Sequence, residues 1–142
     1  MNNNIIVATD GSQFSNVAVR EAINIAKTYG SKLYCMSVIE MHFDHYPDFL
    51  NLAPNVIDEK KKELTVYLEE IREKATKDNV QCEVLIREGN EPYELIINEA
   101  DKVQARLIVV GSHGRTGLKK LLMGSVAERV IGHANCSVLL AK

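Results

Sequence analysis

The sequence predicts an α/β fold: an open, parallel, five-stranded sheet in the order 3-2-1-4-5 with helices on both faces, three layers in all. Three observations carry this. Short β-branched apolar runs alternate with longer segments whose apolar residues recur at helical spacing, five of the first kind and four of the second. Glycine or proline marks each passage from strand to helix, at Gly11, at Pro47 and Pro54, at Gly89 and Pro92, and between Gly111 and Gly124. The opening run is nearly continuous in apolar residues, as a strand buried on both faces must be. Parallel crossovers are right-handed. A sheet wound outward from its first strand and then back past it sets strands one and four side by side. Their loops then leave toward opposite faces and open a crevice at the carboxyl ends of the strands.

Each element has its own local signal. The first strand is Asn4-Ile5-Ile6-Val7-Ala8-Thr9, ended by Asp10-Gly11-Ser12. Ser15 stands where an N-cap belongs; Ala18, Ala22, Ile25, Ala26 and Tyr29 follow at helical spacing, and Gly30 supplies the C-cap. Residues 32–39 form the second strand, and an irregular stretch over 40–55 contains Pro47 and Pro54. A long helix over 56–77 presents Leu64, Tyr67, Leu68, Ile71 and Ala75 on one side; at that spacing Tyr67 and Ile71 read as core residues, not as a cofactor box. Residues 81–87 form the third strand. Pro92 sits early in the next helix, whose stripe is Tyr93, Ile96, Ile97, Ala100 and Val103. Residues 106–110 are the fourth strand, 111–124 a glycine-bearing loop, 125–134 a short helix and 136–141 the fifth strand.

At 142 residues the chain fits one domain over 1–142 with one continuous core. With 46% hydrophobic and 25% charged residues the composition is that of an average globular protein, which excludes general disorder and coiled-coil architecture. The net charge of −2 and the scattered basic residues argue against a nucleic-acid surface, which needs a clustered positive patch. The densest charge run, residues 58–63, mixes both signs and reads as a solvated helix face. No apolar stretch approaches the roughly 20 residues that span a bilayer, and Met1-Asn2-Asn3-Asn4 leads straight into a strand. The expectation is a cytoplasmic protein without a membrane partner. Cys35, Cys82 and Cys136 form no C-x-x-C pair and lie in apolar runs, so they read as small buried hydrophobes. His42, Asp44, His45 and Asp48 crowd one loop, but their spacing matches no zinc pattern and no metal site is predicted.

The most informative segment runs from Gly111 through Ser112, His113 and Gly114 to Gly124 and Ser125, joining a buried strand to a helix start. Glycines there permit close backbone approach, and N–H groups near Gly114 and at the helix start can cradle an anion, aided by the helix dipole and the Ser125 hydroxyl. The loop matches neither G-x-x-x-x-G-K-[ST] nor G-x-G-x-x-G. By spacing alone, a phosphate site and a structural turn stand equally open.

The pattern Gly111-x2-Gly114-x9-Gly124-Ser125 resembles the nucleotide-binding signature of universal stress proteins, and Asp10-Gly11-Ser12-x-x-Ser15 resembles their first loop. The alternation of elements, the length and the C-terminal Ser137-Val138-Leu139-Leu140 fit as well, so the resemblance covers the whole chain. It implies a Rossmann-like, adenine nucleotide alpha hydrolase-like fold that binds ATP, with Mg²⁺ accompanying the triphosphate. It places Asp10 at the adenosine end and the backbone of Ala8 and Val38 against the base. Gly111, His113, Gly114, Gly124, Ser125 and Val126 would meet ribose and phosphates. Family members without nucleotide lack the glycine pattern, which this sequence keeps. It departs from the family at Ala8-Thr9 before Asp10, where proline is frequent.

The function implied is a nucleotide-dependent regulatory protein of the stress response. The alternatives are a weak ATP hydrolase or phosphotransfer enzyme, and a nucleotide-independent dimeric assembly module. No residue is assigned a catalytic role: His113 has no partnered acid nearby and reads as a positioning or main-chain contact. Arg115, Lys119 and Lys120 read as exposed loop residues. Asp10 has a plainer reading too, since Asp-Gly is a good turn pair whatever the ligand. The apolar last strand lies at a sheet edge, and the resemblance implies a homodimer paired through residues 137–141.

Overall fold

The apolar runs pair side by side as one parallel sheet in a computed structural model that describes residues 2–41, 53–112 and 123–142. In chain order the elements are β1 (Asn4–Ala8), α1 (Asn16–Tyr29), β2 (Lys32–Glu40), α2 (Ala53–Lys77), β3 (Cys82–Gly89), α3 (Pro92–Lys102), β4 (Ala105–Gly111), α4 (Ser125–His133) and β5 (Ser137–Ala141). The sheet order is β3-β2-β1-β4-β5, and every pairing is parallel. This is the architecture the sequence predicts. Its boundaries differ by a few residues, α2 starting at Ala53 and β3 running on to Gly89.

Side chains alternate across a strand, and here the alternation sorts the core into two layers. Ile5, Val7, Leu33, Cys35 and Val109 pack against Ala18, Ala22 and Ala26 of α1 and Leu68, Ile71 and Ala75 of α2. Ile6, Met36, Ile108 and Val110 face the other way, onto Ile96 and Ala100 of α3 and Ala127 and Val130 of α4. The alanine row of α1 brings that helix close to the strands beside the crevice. Arg87 of β3 ties α3 down: its Nε donates to Oε1 of the buried Glu99 at 2.6 Å, and its Nη1 donates to the Ile86 carbonyl at 2.9 Å.

Three local expectations are corrected. Tyr29 is not core but 60% exposed, its ring lying 5.4 Å from the Arg106 guanidinium, and Val19 and Ile23 are buried instead. Arg106 reaches it because the β1–β4 register slips between Asn4 and Ile5, leaving one extra residue on β4. Ser15 is the N-cap residue of α1 as expected, but its side chain makes no capping bond. Gly30 does close α1 in the left-handed region, at φ 65. Of the cysteines only Cys35 is buried, while Cys82 and Cys136 are half-buried. The stripe residue Tyr93 is half-buried, and Val103 caps α3 from just beyond its end. His42, Asp44, His45 and Asp48 lie outside the described residues.

Burial pushes the Cys35 thiol far up from its ordinary value, with Cys82 adding to the effect. Burial likewise pushes Cys82 up to about 11 and raises Cys136, each against a weaker opposing contact. A thiol reagent at pH 8 acts on the thiolate, so all three should react more slowly in the native protein than in urea. Stopped-flow labelling should show Cys35 silent until the chain unfolds.

Candidate functional site

At the carboxyl end of β1 the ladder to β2 runs one residue past the strand. The Thr9 N–H donates to the Met36 carbonyl at 2.9 Å, and the buried Ser37 hydroxyl donates to the Thr9 carbonyl at 2.7 Å. Proline in place of Thr9 would lack the first of these bonds. The chain then turns sharply. Gly11 takes φ 81, which favours glycine, and the Ser12 N–H donates to Asp10 Oδ1 at 2.9 Å. The plain turn-capping reading of Asp10 is therefore correct as far as it goes, and it fixes the carboxylate at the mouth of the crevice.

At the carboxyl end of β4 the backbone pins the glycine loop at both its roots. The Ser112 N–H donates to the Ala141 carbonyl at 2.9 Å, and the Gly124 N–H donates to the Ser112 carbonyl at 2.7 Å. Gly124 is the N-cap of α4 at φ −61 and ψ 151, a conformation open to any residue. What glycine supplies there is a missing Cβ beside the crevice. Gly124 itself has no side chain with which to cap α4. The first-turn amides of Ser125, Val126 and Ala127 have no acceptor within the helix and sit at the positive end of its dipole.

Between these two loops lies a cleft of about 840 Å³, within the roughly 300–1,000 Å³ range of small-molecule sites. Ala8, Asp10 and Val38 line one side, while Gly111, Gly124, Ser125 and Val126 line the other. Seven of the nine residues expected at the site thus share one cavity, and the remaining two, His113 and Gly114, lie outside the described residues. Met36, Ile39 and Ile96 add apolar surface.

One wall was not foreseen. The start of α2 contributes Val56, Ile57, Glu59, Lys60, Glu63 and Leu64. The charge run at 58–63 is therefore not wholly a solvated face: Glu59, Lys60 and Glu63 line the cleft, while Lys61 pairs with Glu88 of β3. The signal was present in the helical phase, because Ile57 and Lys60 continue the stripe of Leu64, Leu68, Ile71 and Ala75 backward by steps of three and four. The cleft is electrically lopsided as a result. Asp10, Glu40, Glu59 and Glu63 stand with Lys60 at the β1, β2 and α2 side, opposite the α4 amides. Such a cavity suits a ligand with hydrogen-bond donors at one end and negative charge at the other.

A profile of the universal stress protein family matches residues 1–142. A universal stress protein of Methanocaldococcus jannaschii is 37% identical over 141 residues, covering 97% of this chain and 81% of the relative. The solved universal stress protein UspA of Lactobacillus plantarum superposes with a TM-score of 0.90 across 100% of this chain and 99% of that one, a likeness of fold at 23% identity. A universal stress protein solved in complex with cAMP superposes with a TM-score of 0.71 at 25% identity, over 99% and 96% of the two chains.

The Ser37 hydroxyl is the most buried side-chain donor behind the first loop. Ser37→Ala should lower the unfolding free energy by about 1 kcal/mol, measured by urea titration. A loss near zero would mean that the Thr9 carbonyl is satisfied without it.

Proposed function

The chain belongs to the universal stress protein family, and from that premise we propose that it is an ATP-binding regulatory protein of the stress response, acting as one domain in the cytoplasm. The observation that carries the reading is the meeting, in one cleft, of the Asp10 turn with the amino terminus of α4 at Gly124. The adenine lies against the main chain of Ala8 and Val38 and the apolar surface of Met36 and Ile39. Asp10 accepts from the ribose hydroxyls. The phosphates take main-chain N–H groups of Gly111, Gly124, Ser125 and Val126 and the Ser125 hydroxyl, with His113 and Gly114 completing the loop and Mg²⁺ accompanying the triphosphate. The complex of a relative with cAMP supports the reading, since that ligand joins the same adenosine to a phosphate.

Among the described residues no helix is long and apolar enough to cross a membrane. β5 pairs with β4 alone at the sheet edge, with Val138, Leu139 and Leu140 half-buried. An edge of that kind favours pairing with a second copy, and the reading includes a homodimer through Ser137–Ala141. Val138→Glu should convert a dimer to monomer by light scattering, and a variant that stays dimeric would remove β5 from the interface.

Calorimetric titration of the nucleotide-stripped protein with Mg-ATP tests the central reading. Saturable binding is expected, weakened at least about tenfold in Gly124→Val, which adds a side chain at a residue lining the cleft. Wild-type protein that binds no adenine nucleotide would leave a nucleotide-independent assembly module as the function, and rapid turnover of bound ATP would make it a hydrolase.

A further inference from the structure

Tyr67 was expected to be a plain core residue of α2. Its ring is half-buried against the core formed with α1, but its hydroxyl is not idle. It donates to Asn16 Oδ1 at 2.7 Å, at the first residue of α1, and lies 3.1 Å from Thr9 Oγ1 at the end of β1. Thr9 Oγ1 is also 2.7 Å from Ser15 Oγ and accepts from the Gly11 N–H at 3.3 Å. Ser15 Oγ in turn donates to the Ser12 carbonyl at 2.8 Å. With the tyrosine proton on Asn16 and the serine proton on Ser12, the single Thr9 hydroxyl proton serves either Ser15 Oγ, the shorter contact at 2.7 Å, or Tyr67 Oη at 3.1 Å, one at a time.

This network encloses the turn that carries Asp10, since Thr9, Gly11, Ser12 and Ser15 all belong to it. Its far end lies on α2, one turn beyond Glu63 and Leu64, which line the cleft opposite that loop. Tyr67 itself is absent from the lining. We infer that Tyr67 is a positioning residue: its hydroxyl ties the end of β1 and the start of α1 to α2, and so holds the Asp10 turn in place across the cleft. For its effect on affinity the inference rests on the nucleotide reading above, but the tie itself can be tested without any ligand.

The test compares wild type with Tyr67→Phe, which keeps the ring, and with Thr9→Val, which keeps the shape and the N–H to Met36. Amide exchange of Gly11 and Ser12 in the ligand-free protein should quicken about tenfold in both variants, with helix-core exchange unchanged; unchanged Gly11 and Ser12 rates overturn the inference. Mg-ATP affinity should fall about five- to tenfold in Tyr67→Phe, the equivalent of one hydrogen bond. In a double-mutant cycle with Asp10→Asn the two losses should be strongly non-additive, because one residue acts through the other. Additive losses, or a Tyr67→Phe variant that binds Mg-ATP as wild type does, also overturn it. If wild type binds no nucleotide while the exchange rates still rise, the positioning role stands and the nucleotide reading falls.

Discussion

The constraint on which the rest depends is the pairing of β1 with β4 at the centre of a parallel sheet. Ile6 lies beside Ile108 and Val7 beside Val109, all fully buried, so these strands cannot shift without exposing both core layers. Right-handed crossovers then send the chain from β1 toward α1 on one face and from β4 toward α4 on the other. Among the described residues a cleft lies where the two chains part. The cleft is thus a product of topology, and the residues around it need only furnish it.

They furnish its two sides differently. On the β4 side, among the described residues, the work falls to the backbone: a helix start whose N-cap is a glycine, and a loop whose roots at Ser112 and Gly124 are bonded to each other. On the β1 side it falls to side chains, with Asp10 held by the Ser12 amide and Thr9 serving both the β2 ladder and a hydroxyl network. A proline would fix the backbone angle by its ring; threonine keeps an N–H for Met36 and adds a hydroxyl that reaches α2 through Tyr67. The loop is stiffened by bonds to its neighbours in place of covalent restraint.

The α2 helix has two duties that a linear reading separates poorly. Leu68, Ile71 and Ala75 bury against the sheet, and the same stripe continued toward the amino terminus passes Leu64, Lys60 and Ile57 into the cleft wall. Glu59 and Glu63 on its flank give that wall negative charge, while the opposite wall carries the positive end of α4.

The sequence by itself determined the elements, their order and the residues at the strand ends and helix start that border the cleft. Continuous apolar runs, helical stripes and glycine or proline at the strand exits are local signals, and the connection rules admit few sheets built from them. Asp10, Gly111, Gly124 and Ser125 were legible for the same reason: each sits at a strand end or helix start, and the crossover rules bring those ends together. What only the tertiary structure decided depends on distance between segments far apart in the chain. The contact between Tyr29 and Arg106 joins the end of α1 to the extra residue that the β1–β4 register leaves on β4. The half-burial of Cys82 and Cys136 follows from their places on the outer strand β3 and just before β5. The cleft wall from α2 and the Tyr67 hydroxyl between Thr9 and Asn16 follow from how that helix lies across the sheet. Periodicity fixes which face of a helix is apolar; it carries no information about which polar group the end of that face will meet.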